Sequence, residues 1–243
     1  MPAPVLSVVV PAFNEVDNIV LLADEIVAAL SGSVADFELI IVDDASSDGT
    51  SELLQQMCSD RFRPVFHRLN CGQSAALASG FAAARGQWVA TLDGDGQNDP
   101  ADLPAMLEWA RGSDVDCVTG VRHRRRDDWV RRMSSRIANR FRDLITGDRV
   151  ADSGCGVRVV RREALREVPV FNGMHRFMPT LLRAQGFSVL EHEVNHRERR
   201  AGVSKYGVGN RLWRGIRDCF GMRWYLSRSV PARRARSSDE GLS

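Results

Sequence analysis

No run of ~18 or more apolar residues occurs in the 243-residue chain, so no membrane-spanning helix is expected. The run Val5 to Val10 is too short for a signal h-region and no basic segment precedes it, which argues against a secretory leader. Cysteine is sparse. The five cysteines, Cys58, Cys71, Cys117, Cys155 and Cys219, are odd in number and contain no C-x-x-C pair. That spacing suggests neither a disulfide framework nor a zinc motif, and reduced thiols in a cytosolic protein are the plain expectation. A net charge of +2 is too small to imply a polyanionic partner, and no recognisable nucleic-acid-binding motif is present. No G-x-G-x-x-G follows the first apolar run, where Pro-Ala-Phe-Asn stands instead, so a dinucleotide oxidoreductase is set aside. Internal repeats are also absent.

What is there reads as one sizeable α/β domain, with the 44% hydrophobic and 26% charged residues of an ordinary globular chain. Short apolar runs alternate with helical patterns. Strands are expected at Leu6 to Val10, Phe37 to Val42, Pro64 to Leu69, Trp88 to Leu92 and Cys117 to Val121. Between the first two, Ile19, Leu22, Ala23, Ile26, Val27 and Leu30 have the spacing of a helix buried on one face. Further helices are expected through Leu53 to Met57, from Gly72 to Arg85, and from the Asp99-Pro100 cap to Arg111. Continuous apolar strands alternating with amphipathic helices imply a mostly parallel sheet with helices on both faces. Ligands of such sheets sit beyond the carboxyl ends of the strands. The acidic residues Asp43, Asp44, Asp93 and Asp95 fall there.

The sharpest local signal is Leu92-Asp-Gly-Asp-Gly-Gln-Asn-Asp-Pro100. Two carboxylates one residue apart, just past a buried strand, suit Mg²⁺ or Mn²⁺, which would bridge the oxygens of a diphosphate. An isolated Asp-Gly-Asp is more often a turn. The preceding strand and the acidic pair at the end of the second strand weigh for a ligand site. Adjacent Asp43 and Asp44 repel unless they meet donors, and a nucleobase with its ribose supplies donors. For Ser47, Asp48 and Thr50, helix capping is the simpler reading.

The set Val-Val-Val-Pro-Ala-Phe-Asn-Glu15, Val-Asp-Asp-Ala-Ser-Ser-Asp-Gly-Thr50, Asn70-Cys-Gly-Gln-Ser-Ala-Ala76 and Leu92-Asp-Gly-Asp-Gly-Gln97 resembles the family 2 inverting glycosyltransferases. Within them it looks most like the polyprenyl-phosphate, dolichol-phosphate mannose synthase-like branch, over roughly residues 5 to 210. The resemblance implies a GT-A fold and a hexose transferred from a nucleotide diphosphate sugar, GDP-mannose or a UDP-sugar, to a polyprenyl phosphate. It assigns Pro11, Ala12, Asn14, Glu15, Asp43, Asp44, Ser46, Gly72, Gln73 and Asp93 to the nucleotide, and Asp93, Asp95 and Gln97 to the metal and diphosphate. Asp95, Asp152, Arg200 and Lys205 would serve catalysis, the last two from a basic Ser-Lys-Tyr loop, with Ser204 at the acceptor phosphate. Asp152 would act as base or acceptor-positioning group; a turn residue before Gly154 is the competing reading. Relatives often carry Asp-Ala-Asp for Asp-Gly-Asp, and often continue into transmembrane helices.

From Arg122 to Arg142 there are nine arginines against two aspartates, and Trp129, Met133, Ile137, Phe141 and Leu144 recur at helical spacing. A solvated charged face is one explanation. The other is a basic amphipathic helix in the lipid headgroup plane, which would bring Arg122, Arg125 and Arg132 to a polyprenyl phosphate. His175, Arg176 and Phe177 are weaker candidates for the acceptor side. The expected organisation is a catalytic domain over 1–210, divided into a nucleotide-sugar half (1–121) and an acceptor half (122–210). A C-terminal amphipathic helix (211–230) and a disordered tail (231–243) follow. The expected location is the cytoplasmic face of a membrane, held peripherally or through an integral membrane partner, with no nucleic acid involved. A family 2 enzyme acting on a glycan or small-molecule hydroxyl, with Asp152 as base, is the alternative.

Overall fold

Seven consecutive residues without a charge, Leu6–Ala12, make strand β1, and its flanks are covered on both faces. It pairs in parallel along its whole length with β2 (Phe37–Asp43), which is buried throughout. On its other side lies β4 (Trp88–Thr91), also parallel. The protein is seen here as a computed structural model describing residues 4–34, 36–122, 140–148, 150–197 and 208–231, with side chains from 215 onward in the last segment.

The remaining strands are β3 (Val65–Phe66), β5 (Cys117–Arg122), β6 (Arg158–Arg161) and β7 (Val189–Val194). Their order is β3-β2-β1-β4-β6-β5-β7. Every pairing is parallel except those of β6, which runs antiparallel to both β4 and β5. β6 therefore wedges between two strands that precede it in sequence, and delivers the segment before Arg158 to the same sheet end as Asp93.

The helices are α1 (Ile19–Leu30), α2 (Thr50–Gln56), α3 (Gln73–Ala83), α4 (Leu103–Gly112, after a 3-10 turn at Pro100–Asp102), α5 (described over 140–146), α6 (Arg162–Leu165), α7 (Met178–Ala184) and α8 (Val208–Arg228). On one face of the sheet, Ile19, Leu22, Ala23, Ile26 and Leu30 of α1 join Leu103, Met106, Leu107 and Ala110 of α4 over Val8, Val10 and Ala90. The other face buries Ala76 and Leu77 of α3, Leu181 and Leu182 of α7, and Cys219 and Met222 of α8 over Val9, Val89 and Val160. Because successive strand residues point to opposite faces, β1 feeds both cores. Val27, expected on the buried stripe of α1, is 38% exposed at its margin.

The largest departures from the expected boundaries are in one strand, β3, and one helix, α8. β3 is only two residues long, because after Phe66 the backbone N–H of His67 donates to Asp43 O and the His67 ring turns in to Asp44. Leu69, expected within that strand, is exposed. α8 starts three residues before the expected 211. Among the described residues no helix is long and apolar enough to cross a membrane. Of the tail 231–243, expected to be disordered, all but residue 231 lies outside the described residues.

Candidate active site

The loops after β1 and β2 are laced together, which gives their polar residues fixed positions. Asn14 adopts a positive φ of 53°, its N–H donates to Ser46 Oγ (2.8 Å), and its Oδ1 accepts from Ser47 N (2.8 Å). Glu15 N donates to Thr50 Oγ1 (3.1 Å), and Glu15 accepts from Asn18 Nδ2 (2.8 Å). Asp48 accepts from Val16 N and from the N–H and hydroxyl of Thr50. Burial pushes its carboxyl up, but these hydrogen bonds outweigh that and hold it below the usual range. Ser47, Asp48 and Thr50 thus act as loop and helix-end residues. Asp43 accepts from the hydroxyls of Ser46 and Ser51, and Asp44 N donates to Ala12 O (2.9 Å).

Asp44 draws in the third loop. Its Oδ1 accepts from Cys71 N (2.8 Å) and lies 2.7 Å from His67 Nδ1, while Oδ2 accepts from Gly72 N (2.7 Å). Gly72 has φ 86°, a left-handed value that a glycine adopts readily, and it opens α3. The next residue reaches the fourth strand: Gln73 Nε2 donates to Asp93 Oδ1 (2.8 Å). Asn98 Nδ2 lies 3.3 Å from Asp93 Oδ2.

Asp93 is half-buried at the end of β4. Burial, then the charge of Asp95, pushes its carboxyl above the ordinary value, against the pull of Arg158, Asn98 and Arg122. Two neighbouring carboxylates past a buried strand end are a hard-oxygen donor set. That chemistry fits Mg²⁺ or Mn²⁺. Asp95 Oδ1 also accepts from Gln97 N (3.2 Å). Space around the pair depends on missing side chains: a Cβ at Gly156 would overlap the Asp93 carboxylate, and one at Gly94 would press on Pro11 O. A second cluster with metal-ligand spacing is Asp44, His67 and Cys71, whose ligand atoms lie within 4.8 Å of one another.

On the far side of β4, Asp152 is buried and gripped by Arg122 in a two-pronged pair, Nε to Oδ2 at 2.6 Å and Nη2 to Oδ1 at 2.8 Å. Gly154 N also donates to Asp152 (3.2 Å). The segment after β7 is tied to the Asp-Gly-Asp loop. Arg197 N donates to Gln97 O (2.8 Å), and its guanidinium spans Glu25 (2.8 Å) and Asp99 (2.6 Å).

The structure thus brings Pro11, Ala12, Asn14, Glu15, Asp43, Asp44, Ser46, Gly72, Gln73, Asp93, Asp95 and Gln97 to one end of the adjacent strands β2, β1 and β4. Arg122 and Asp152 stand together beyond β6. Arg125, Arg132, Arg200, Ser204 and Lys205 lie outside the described residues. His175 lies with its Nδ1 2.9 Å from Ser74 Oγ in the first turn of α3. Sequence reasoning missed Asn98, Gly156, Arg158 and Arg197. Asn98 stood inside the Leu92–Pro100 segment, so position relative to that motif was the available signal.

A mostly parallel sheet with one antiparallel insert, acidic strand ends and loops converging on a carboxylate pair define a GT-A nucleotide-sugar fold. The Glycosyl transferase family 2 profile matches residues 7–169, and the chain belongs to that family. It is 35% identical over 227 residues to the dodecaprenyl-phosphate galacturonate synthase of Rhizobium johnstonii, covering 91% of this chain and 67% of that one. It is 35% identical over 207 residues to the undecaprenyl-phosphate 4-deoxy-4-formamido-L-arabinose transferase of Aeromonas hydrophila, covering 84% and 63%. The chain thus spans about two thirds of the length of these curated relatives. In fold it matches the glucosyl-3-phosphoglycerate synthase of Mycobacterium tuberculosis, solved with Mn²⁺, UDP and phosphoglyceric acid. That match has a TM-score of 0.67 at 21% identity over 94% of this chain and 80% of that one. It also matches a mannosyltransferase of Pyrobaculum calidifontis solved with GDP-mannose and Mn²⁺, with a TM-score of 0.62 at 19% identity over 93% and 71%.

Proposed function

We propose that the protein transfers a hexose from a nucleotide diphosphate sugar to a polyprenyl phosphate at the cytoplasmic face of a membrane, with inversion. The observation that carries the reading is the linked chain Asp44–Gly72–Gln73–Asp93, which joins a nucleoside-side carboxylate to a diphosphate-side carboxylate across adjacent strand ends. The polyprenyl-phosphate acceptors in the relatives' names support the acceptor class.

In this reading the loops after β1 and β2 seat the nucleoside through Pro11, Ala12, Asn14, Glu15, Asp43, Asp44 and Ser46. Gly72 and Gln73 border the diphosphate. Asp93, Asp95 and Gln97 would hold a Mg²⁺ or Mn²⁺ ion, which neutralises charge developing on the leaving diphosphate. Gln73 and Asn98 orient the Asp93 carboxylate for that role. Arg200 and Lys205 would add positive charge at the leaving group, and Ser204, Arg122, Arg125 and Arg132 would receive the acceptor phosphate.

The alternative, a hydroxyl acceptor with Asp152 as base, meets a specific obstacle. Both oxygens of Asp152 already take guanidinium donors from Arg122, so in this structure the carboxylate serves an ion pair rather than facing an acceptor hydroxyl. A lipid phosphate is ionised near neutral pH and needs no such base. Asp152 then positions Arg122 toward the acceptor phosphate.

Peripheral membrane contact belongs to the same reading. Phe141 of α5 and Phe220 of α8 meet edge to face, with ring centroids 6.5 Å apart, and Leu144 and Trp224 stand exposed beside them. Five arginines against one aspartate on α8 suit anionic headgroups. An integral membrane partner could share that surface.

The test is transfer by purified protein from labelled GDP-mannose, UDP-glucose and UDP-galacturonic acid to a short polyprenyl phosphate, with and without Mn²⁺. Metal-dependent label in the organic phase is expected with one donor. Efficient transfer to a sugar hydroxyl, with none to the lipid phosphate, would select the alternative.

A further inference from the structure

Asp44, His67 and Cys71 come from three stretches of backbone: the end of β2, the residue after β3 and the loop before α3. One carboxylate oxygen, one ring nitrogen of His67 and Sγ all lie within 4.8 Å of one another. Each is held by its surroundings. Asp44 is fixed by the N–H groups of Cys71 and Gly72. The His67 ring is pinned at both nitrogens, Nδ1 2.7 Å from Asp44 Oδ1 and Nε2 2.8 Å from Ser79 Oγ. The second contact is independent of the cluster, and it is the kind a ligating imidazole requires: a partner on its other nitrogen that sets ring orientation and tautomer. Without a cation Nδ1 carries the proton, because the Asp44 carboxylate 2.7 Å away only accepts; the Ser79 hydroxyl can turn to accept from Nε2–H in the other tautomer, the one in which Nδ1 can ligate. Cys71 is exposed, so the cluster is reachable from solvent.

We propose that Asp44, His67 and Cys71 form a binding site for a borderline-soft divalent cation, Zn²⁺ foremost, and that its occupancy excludes the nucleotide. One thiolate, one imidazole and one carboxylate are a zinc donor set, and three protein ligands leave the fourth tetrahedral position to water. The oxygen-only pair Asp93 and Asp95 suits the harder Mg²⁺ or Mn²⁺, so the two sites sort metals by softness. On binding, the Cys71 thiol gives its proton to solvent, the imidazole shifts its proton from Nδ1 to Nε2 by exchange with water, where Ser79 Oγ accepts it, and the cation takes the place vacated between His67 Nδ1 and Asp44 Oδ1; no redox change occurs. The exclusion rests on the proposed function, in which Asp44 holds the nucleoside and Gly72 borders the diphosphate. A cation on Asp44 and Cys71 stands at that entrance. Zinc would therefore inhibit in competition with the nucleotide sugar, and excess Mn²⁺ would not relieve it.

Cobalt makes the site visible in the full chain. Co²⁺ is expected to give a near-ultraviolet thiolate-to-metal band in the wild type and in Cys58→Ser, where the other exposed cysteine is removed, and no band in Cys71→Ser. Zinc affinity, measured against a chromophoric chelator, is expected to fall about tenfold or more in Cys71→Ser and in His67→Gln. Circular dichroism checks that both variants stay folded. A band that persists in Cys71→Ser, or zinc affinity unchanged in both variants, overturns the site. UDP or GDP with Mg²⁺ should bleach the band over the concentration range in which it binds the cobalt-free chain. A nucleotide that binds and leaves the band intact overturns the exclusion. If no nucleotide binds the cobalt-free chain, the proposed function fails, while the variants still decide the metal site.

Discussion

Asp93 and Asp95 face the same sheet end but differ in what surrounds them. Asp93 is oriented by Gln73 and Asn98, whereas Asp95 accepts from Gln97 N within its own loop. On the proposed function, replacing Asp95 by Ala removes a proposed metal ligand without disturbing the core, so transfer should be lost while the thermal unfolding curve stays close to wild type. Near-normal turnover in that variant would remove the metal from this position. His175 carries a different kind of consequence. Burial, with Arg176 and Arg158 adding to it, pushes its imidazole down from 6.5 to about 3. The unfolded chain therefore takes up the proton first on acidification. Stability from the neutral imidazole is complete above pH 6.5 and is lost as pH falls toward about 3, at up to ~1.4 kcal/mol per pH unit. Urea unfolding at pH 7 and pH 5 should show a steeper acid loss in the wild type than in His175→Gln. Parallel losses would mean that the imidazole is not held neutral.

Element boundaries followed hydrophobic periodicity where an element is buried along its length, and failed where a single side chain turned the chain. α1 lies at Ile19–Leu30, matching the apolar spacing Ile19, Leu22, Ala23, Ile26 and Leu30. β3 ended early because His67 turns toward Asp44, a contact that no strand pattern encodes. α3 depends on a glycine: a Cβ at Gly80 would overlap the Val9 side chain and press on Val42. Alanine there gains helix propensity of about 1 kcal/mol but forces the helix off β1. We expect Gly80→Ala to destabilise the protein by about 1–3 kcal/mol, read by urea denaturation, and to weaken nucleotide binding because Gly72 and Gln73 begin the same helix. A neutral or stabilising result would show that the α3–β1 contact can relax.

For the molecule as a whole, Phe141 and Leu144 belong to one segment and Phe220 and Trp224 to another, and they share one surface. Arg223 Nη1 donates to Ile145 O (3.0 Å), which locks the two segments together. Changing Phe220 and Trp224 together to Ser should lower cosedimentation with anionic vesicles about tenfold while leaving nucleotide binding intact. Unchanged sedimentation would leave that surface to another partner. The same pattern on α8 was legible as amphipathicity in the sequence; its meeting with α5 was not.

By itself the sequence determined the alternation of buried strands and covering helices, the acidic strand ends and the glycine-spaced carboxylates. These depend on periodicity and short spacing, which are local. Only the tertiary structure decided that β6 enters antiparallel between β4 and β5, that Arg122 grips Asp152 across 30 residues, and that Arg197 ties Glu25 to Asp99. It also decided that His67 and Cys71 join Asp44 in one cluster. Each of these depends on which strand lies beside which, a property of the whole sheet that the spacing of residues along the chain does not contain.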